Sequence, residues 1–205
     1  ENIKEILKDK QKTEDDFAQA ACKEWIDVRS FGQVFAFKSS GSRGSGVSIG
    51  VRGPVSVHTA TSIDPIDITS MQITKSVNTE PGEKRGSDTM GTKHRVDFGV
   101  YVFYGSINTQ LAEKTGFSRD DAEKIKQALI TLFENDASSA RPEGSMEIRK
   151  VYWWEHDSKL GQYSSAKVHR LLKVEAATDE PSTFEDYSIT LDELEGLAVE
   201  ELDGQ

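Results

Sequence analysis

Apolar residues recur at helical spacing in two segments of the chain, and each segment begins with a capping signal. In residues 13–26, Phe17, Ala21 and Trp25 lie on one stripe, which predicts an amphipathic helix. Thr13 followed three residues later by Asp16 matches a capping box. A second helix begins after Ser118, where Asp121 completes the same signal. Its buried stripe consists of Ala122, Ile125, Leu129, Leu132 and Phe133. A short helix is predicted over residues 108–116.

Shorter runs have the composition and alternation of β-strands. These runs lie at residues 31–37, 47–60, 68–76, 96–104, 145–155, 169–176 and 187–191. Gly53-Pro54 interrupts the second run, and because proline cannot donate to a ladder we expect a bulge or a sheet edge there. From Val96 to Tyr104 alternate apolar residues share one face, so the pattern predicts one continuous strand.

The order of these elements favours an α+β fold. Helices and strands alternate without regular parallel βαβ units, which is typical of a modified ferredoxin-like or RNA-recognition-motif sandwich. One strand upstream of residue 13 is missing from that pattern, and the sequence has no initial methionine, so we expect an incomplete chain. We predict a single domain over residues 1–176, with a flexible loop at 39–46 and a long insertion at about 63–93. Residues 177–205 form an acidic C-terminal segment.

Composition excludes several classes of protein. The chain has 205 residues, 36% hydrophobic and 29% charged, as in a soluble globular domain. No run of about 18 apolar residues is present, so no transmembrane helix is expected. The N-terminal residues have no apolar core and do not resemble a signal peptide. Cys22 is the single cysteine, which excludes an internal disulfide and a cysteine-rich zinc site. We therefore expect a cytoplasmic protein.

Charge is distributed unevenly along the chain. The net charge is −10, which taken alone argues against nucleic-acid binding. Residues 28–95, however, contain nine basic and five acidic residues, a local net charge of +4. Residues 174–205 contain eleven acidic residues and no Lys or Arg. Because the local field decides where a polyanion binds, residues 28–95 are a candidate phosphate-binding region. The alternative is that both imbalances are ordinary solvated surface.

The sequence contains none of the HExxH, CxxC, P-loop and GxGxxG motifs. His156-Asp157 forms an HD dipeptide, but the remaining ligands of a metal phosphohydrolase are not recognisable, so a turn is the preferred interpretation. His58 or His94 could serve as a general acid or base for RNA cleavage, although no spacing requires it. We expect a protein without catalytic activity, metal or cofactor.

Two further features are candidates for contact with nucleic acid. Met90 lies in a Gly-flanked polar segment, where an apolar side chain gains little from the core and could wedge between bases. An incidental exposed methionine is the alternative. Trp153 and Trp154 must point to opposite faces of a strand, so one is expected in the core. The other could pack on a partner or stack on a base.

Several segments together resemble the Cas-seven (Cas7) family in its type I-C (Csd-type) form, the repeating backbone subunit of the CRISPR Cascade complex. The segments are DVRSFGQVFAF (27–37), VRGPVSVHTATSIDPIDIT (51–69), TMGTKHRVDFGVYVFYGSIN (89–108), LAEKTGFS (111–118), FENDASSAR (133–141) and HDSKLG (156–161). The resemblance implies a palm of the RNA-recognition-motif type and a thumb inserted between Ser62 and His94. It also implies a role in antiviral defence, in which copies of the subunit polymerise along CRISPR RNA beside other Cascade subunits.

The resemblance assigns the basic insertion to the guide RNA, while target DNA is recognised through pairing with the guide. The RNA contacts predicted on this basis are Arg29, Arg52, His58, Lys75, Lys84, Arg85, Met90, Lys93 and His94. Two alternatives stay open. One is a CRISPR RNA-processing endoribonuclease on the same fold, and the other is a generic acidic protein-interaction domain.

Overall fold

The computed structural model describes residues 13–37, 47–74 and 90–205. Helices and short antiparallel sheets are both present, so the fold is α+β. The described chain forms two compact units. Of the described residues, the first unit contains those within 13–58, 105–169 and 192–205, and the second those within 59–104 and 170–191. The predicted boundary at residue 176 stays a prediction.

The first unit contains five α-helices and six strands among the described residues. The helices are α1 (Glu14–Glu24), α2 (Ile26–Phe31), α3 (Thr109–Thr115), α4 (Arg119–Ile130) and α5 (Ser165–His169). The strands are β1 (Gly32–Phe37), β2 (Val47–Arg52), β3 (Val55–Val57), β8 (Gly105–Ile107), β9 (Lys150–Trp154) and β12 (Val199–Asp203). They pair antiparallel as β1–β2, β3–β8 and β9–β12.

The second unit is built from three antiparallel ladders and a short 3-10 turn at Phe184–Asp186. Its strands are β4 (Thr61–Ser62), β5 (Ile68–Thr74), β6 (Met90–Val96), β7 (Tyr101–Val102), β10 (Leu172–Ala176) and β11 (Tyr187–Leu191). The pairs are β4–β7, β5–β6 and β10–β11. No helix in the described part of the chain is both long and apolar enough to cross a membrane.

The core of the first unit lies between α1 and the β1–β2 sheet. Phe17 is 2% exposed and meets the ring of Phe35 edge-on, with centroids 5.0 Å apart. Ala21, Cys22 and Val28 form the neighbouring buried cluster. The predicted capping boxes are confirmed at both helices. Asp16 N–H donates to Thr13 Oγ1 at 3.2 Å, and Asp121 N–H donates to Ser118 Oγ at 3.2 Å.

Three strand predictions are wrong in their extent. The strand predicted from residue 169 begins only at Leu172, because Ser165–His169 form α5. The strand predicted from Val96 to Tyr104 ends at Val96, and only Tyr101–Val102 of that run pairs again. The Asp97 carboxylate contacts Arg95 and Thr69, and the Val100 carbonyl accepts a hydrogen bond from the N–H of Ile63 at 2.9 Å. The backbone therefore leaves the β5–β6 ladder after Val96. The strand predicted from residue 145 begins only at Lys150.

The acidic C-terminal segment contributes strands to both units, and β12 was not predicted. β12 pairs with β9. Lys150 of β9 lies 2.8 Å from Glu201 and 2.7 Å from Asp203, and these ion pairs offset the negative charge of β12. Lys126 of α4 is 6% exposed, 2.7 Å from Glu200, and lies over the Trp153 ring. Trp154 instead stacks on Tyr152. The two tryptophans therefore take opposite faces, as predicted.

Candidate nucleic-acid interface

The β5–β6 hairpin, called the ribbon below, is exposed on both faces. Its seven residue pairs run from Ile68↔Val96 to Thr74↔Met90. Every residue of the two strands is exposed except Thr69, which is half-buried. A two-stranded hairpin has little stability of its own in water, so a ribbon without a core beneath it is a candidate surface for another molecule.

One face of the ribbon carries all of its fixed charge. Opposed residues share a face and faces alternate along a strand. This cationic face consists of Thr69, Met71, Ile73, Gly91, Lys93 and Arg95. Arg95 Nε lies 2.6 Å from Asp97 Oδ1, and the Thr69 hydroxyl donates to Asp97 Oδ2 at 2.6 Å. That hydrogen bond, more than the charge of Arg95, lowers the pKa of Asp97. Arg95 is thus held by an anion, whereas the described residues include no ion-pair partner for Lys93.

The opposite face carries no charged residue apart from the titratable ring of His94. This charge-free face consists of Ile68, Ser70, Gln72, Thr74, Met90, Thr92, His94 and Val96. Ser70 Oγ and His94 Nδ1 are 2.8 Å apart, and Gln72 Nε2 donates to Met90 Sδ at 2.8 Å. Met90 is 57% exposed and Ile68 61%. Cross-strand contacts therefore order the middle of this face, while its ends present apolar surface.

The predicted site residues of the insertion do not share a face. Met90 and His94 lie on the charge-free face, and Lys93 lies on the cationic face. Met90 to Lys93 belong to a strand, where the sequence indicated an irregular segment. Lys75, Lys84 and Arg85 lie outside the described residues, and their RNA contacts stay predictions.

Arg29 is held inside the first unit. Its Nε and Nη2 donate to the two carboxylate oxygens of Asp121 at 2.9 and 2.7 Å, and Nη1 donates to the Cys22 carbonyl at 3.3 Å. Asp121 is 3% exposed, and the hydrogen bond from Arg29 is the largest cause that holds its pKa well below the usual range. The guanidinium therefore joins α2 to the start of α4, and a direct RNA contact by Arg29 stays a prediction.

Arg52 precedes a tightly packed turn, and His58 follows β3. Arg52 is exposed at the end of β2. The next residue, Gly53, lies against α2, because a Cβ there would be 2.2 Å from the Ser30 carbonyl oxygen. Pro54 is fully buried. The His58 ring meets that of His169 edge-on, with centroids 5.4 Å apart, and His169 Nε2 lies 3.1 Å from the Gly105 carbonyl. The sequence did not predict this histidine pair.

Comparison with known proteins places these features in a family. The family model of CRISPR-associated protein Cas7 matches residues 1–192. The chain belongs to the Cas7 family. It is also 24% identical over 170 residues to the CRISPR-associated protein Cas7 of Haloferax volcanii. That match covers 78% of this chain and 49% of the relative, so the chain spans about half the length of the curated relative.

Other segments of this Cas7-family chain have structural roles. His156 Nδ1 accepts from the N–H of Gln162 at 3.1 Å, and Asp157 N–H donates to Gln162 Oε1 at 3.1 Å, so the HD dipeptide forms a turn. Among the described residues, no three His, Cys, Asp or Glu side chains are grouped to hold a metal ion.

Sequence reasoning missed the apolar members of the cationic face. Met71 is 39% and Ile73 47% exposed, and both stand beside Gly91 and Lys93. Alternation in residues 68–74 separates these two from their neighbours. It does not reveal that the strand is exposed on both sides, because an alternating strand normally buries one face.

Proposed function

We propose that this Cas7-family chain is the non-catalytic CRISPR RNA-binding backbone subunit of a Cascade surveillance complex, of the type I-C form. Copies polymerise along the guide, contact other Cascade subunits and support recognition of target DNA. The complex acts in the cytoplasm as part of antiviral defence. The proposal includes a palm of the modified ferredoxin-like type, with the ribbon as its thumb.

The observation that carries the proposal is the ribbon with one cationic face. Lys93 can neutralise a phosphate, and Met71 and Ile73 beside Gly91 offer an apolar surface on which a base can lie. Phosphate contacts fix register without reading sequence, as a subunit that must accept every guide requires. Sequence is then read by pairing between guide and target strands.

The test is binding of the purified full-length protein to single-stranded RNAs of unrelated sequence, with sedimentation to count copies per RNA. We expect similar affinities for all sequences, a steep loss with salt, and a number of bound copies that rises with RNA length. An acidic protein-interaction domain would leave the RNA unbound even at low salt. An endoribonuclease on the same fold would instead bind one repeat sequence preferentially and cut it.

A further inference from the structure

Two imidazole rings that are distant in the sequence meet in the first unit. His58 follows β3, and His169 is the last residue of α5. The ring centroids are 5.4 Å apart, and the ring planes are nearly perpendicular, at 89°. Imidazole is the commonest metal ligand in proteins, so two rings this close together are a candidate metal site.

The separation of the rings matches that of two imidazoles bound to one tetrahedral ion. A zinc–nitrogen bond of about 2.05 Å places each ring centroid about 3.2 Å from the ion. At the tetrahedral angle the two centroids are then about 5.2 Å apart, whereas neighbouring ligands of a square-planar ion have centroids about 4.5 Å apart. The 5.4 Å between His58 and His169 is close to the tetrahedral value. The geometry therefore favours Zn²⁺ over Cu²⁺.

A backbone hydrogen bond selects the form of His169 that a metal ion needs. Its Nε2 lies 3.1 Å from the Gly105 carbonyl oxygen. Because a carbonyl oxygen can only accept, Nε2 carries a proton, and in the neutral ring Nδ1 is then the nitrogen with a lone pair. Metal-binding histidines generally donate their other ring N–H to a carbonyl or carboxylate in this way. His58 is exposed, so its ring can turn a nitrogen toward the same point without disturbing the core.

We propose that His58 and His169 bind one Zn²⁺ ion, through Nδ1 of His169 and one ring nitrogen of His58. This inference goes beyond the proposed function and does not depend on it. Water completes the tetrahedral shell, since within the described residues no group of three His, Cys, Asp or Glu side chains could hold the ion. A structural zinc site has four protein ligands. With two, the site binds added Zn²⁺ reversibly rather than holding it permanently.

The ion joins segments whose own contacts are few. β3 and β8 pair through three residues, and the pair at one end is Val57↔Gly105. A two-stranded ladder this short adds little stability. His169 already connects α5 to Gly105 of β8, and a shared ion connects it to the end of β3 as well. Because this arrangement exists only in the folded chain, binding of Zn²⁺ stabilises the fold.

The test is thermal unfolding of the purified full-length protein with Zn²⁺ added, together with a calorimetric titration that counts the ions bound. At about ten times its Kd, Zn²⁺ should raise the Tm by about 3–5 °C. The titration should give one ion per chain. Mg²⁺, which prefers oxygen ligands, should leave the Tm unchanged. His58→Gln and His169→Gln should each abolish the response to Zn²⁺.

Both substitutions are chosen to keep the fold, which circular dichroism checks. Gln at position 169 retains an N–H donor for the Gly105 carbonyl, and position 58 is exposed. His94→Gln is the matched control, because it removes an exposed histidine of the ribbon and should keep the full rise in Tm. Cys22 is 3% exposed, so its thiol does not compete for the ion in the folded protein.

Loss of the Zn²⁺ response in both variants of the pair, with its retention in His94→Gln, establishes the site. A Tm of the unaltered protein that does not respond to Zn²⁺ overturns it, and so does a response that survives in either variant of the pair. Binding of several ions per chain that none of the three substitutions changes would show general surface binding and would also overturn the site.

Discussion

Arg29 and Asp121 form two parallel hydrogen bonds, of 2.9 and 2.7 Å, between residues 92 positions apart in the sequence. Asp121 also accepts from the Ser118 N–H at 3.0 Å, so one carboxylate both caps α4 and holds α2 against it. This geometry links the packing of the first unit to the charge on a single side chain.

Replacement of Asp121 by Asn should destabilise the fold. Loss of one partner leaves a largely buried guanidinium without its counter-charge, which costs on the order of 3 kcal/mol. Denaturant unfolding at pH 7 measures the loss. The control is Arg119→Ala, which breaks an ion pair to Glu155 with both side chains more than half exposed and should change stability by less than about 1 kcal/mol.

The same pair gives a defined response to acid. The pKa of Asp121 is lowered in the folded protein, so its contribution is present above the ordinary carboxyl pKa of about 4 and is lost as pH falls below it. Unfolding free energies between pH 2 and 4 should therefore decline less steeply in Asp121→Asn than in the unaltered protein. Equal slopes would show that the carboxylate is not coupled to Arg29.

Alkaline stability should depend on Tyr187. Burial, together with a hydrogen bond to Asp64, raises the pKa of Tyr187 to about 12. The unfolded chain releases this proton near pH 10, whereas the folded chain holds it, so stability is lost as pH rises from about 10 to 12. Tyr187→Phe should lose less stability over that range. Absorbance of phenolate follows the titration directly, and one fewer group should titrate late in the variant.

Neutralisation of Lys84, Arg85 and Lys93 together should weaken RNA binding to a similar degree for all sequences. The dependence of log affinity on log salt should flatten by about 0.7 per lost phosphate contact. Lys114→Ala, an exposed cation at the end of α3, is the control and should leave the slope unchanged. An unaltered slope in the triple variant would remove the insertion from the RNA contact.

No RNA cleavage is expected from the pure protein, with or without divalent metal. The histidine pair is the most direct place to look for an exception, because two imidazoles close together can act as acid and base. Specific cleavage of repeat RNA that disappears in His58→Gln, His169→Gln or His94→Ala would contradict a purely structural role.

Met90→Ala should keep the fold and most of the affinity for RNA, because the side chain is exposed and uncharged. If Met90 covers the gap left by a displaced base, chemical probing should show a less regular pattern of protected and reactive bases. A periodic pattern identical to that of the unaltered protein would show that Met90 does not contact the base. Gln72→Ala, which removes the hydrogen-bond partner of Met90, should have a smaller effect in the same direction.

The sequence predicted the elements that are stabilised by contacts between residues close together in the chain. Both capping boxes involve residues three positions apart, so Thr13 with Asp16 and Ser118 with Asp121 could be recognised from the sequence. The start of β6 could not, because Met90 to Lys93 are held by cross-strand pairing with Thr74 to Met71 rather than by their own pattern. β12 was missed because its acidic side chains are compensated by Lys150 and Lys126, which are distant in sequence.

The candidate site was likewise predictable only where the signal was local in the sequence. Composition indicated the basic insertion, but the separation of Lys93 from Met90 and His94 depends on strand register, which the sequence did not provide. The engagement of Arg29 by Asp121 likewise depends on tertiary packing. Membership of the Cas7 family, by contrast, could be predicted from motifs because those motifs combine turn residues and packing residues in a fixed order.

The exposed ribbon also has a consequence for a copy that is newly made. Until something covers it, such a copy presents two strand edges and several large apolar side chains to the cell, which is the surface on which chains aggregate and proteases act. Assembly on a guide RNA, as proposed above, would remove that hazard. Under that proposal we expect surplus copies to be cleared, so that the amount of this protein follows the supply of RNA without any dedicated control of its synthesis.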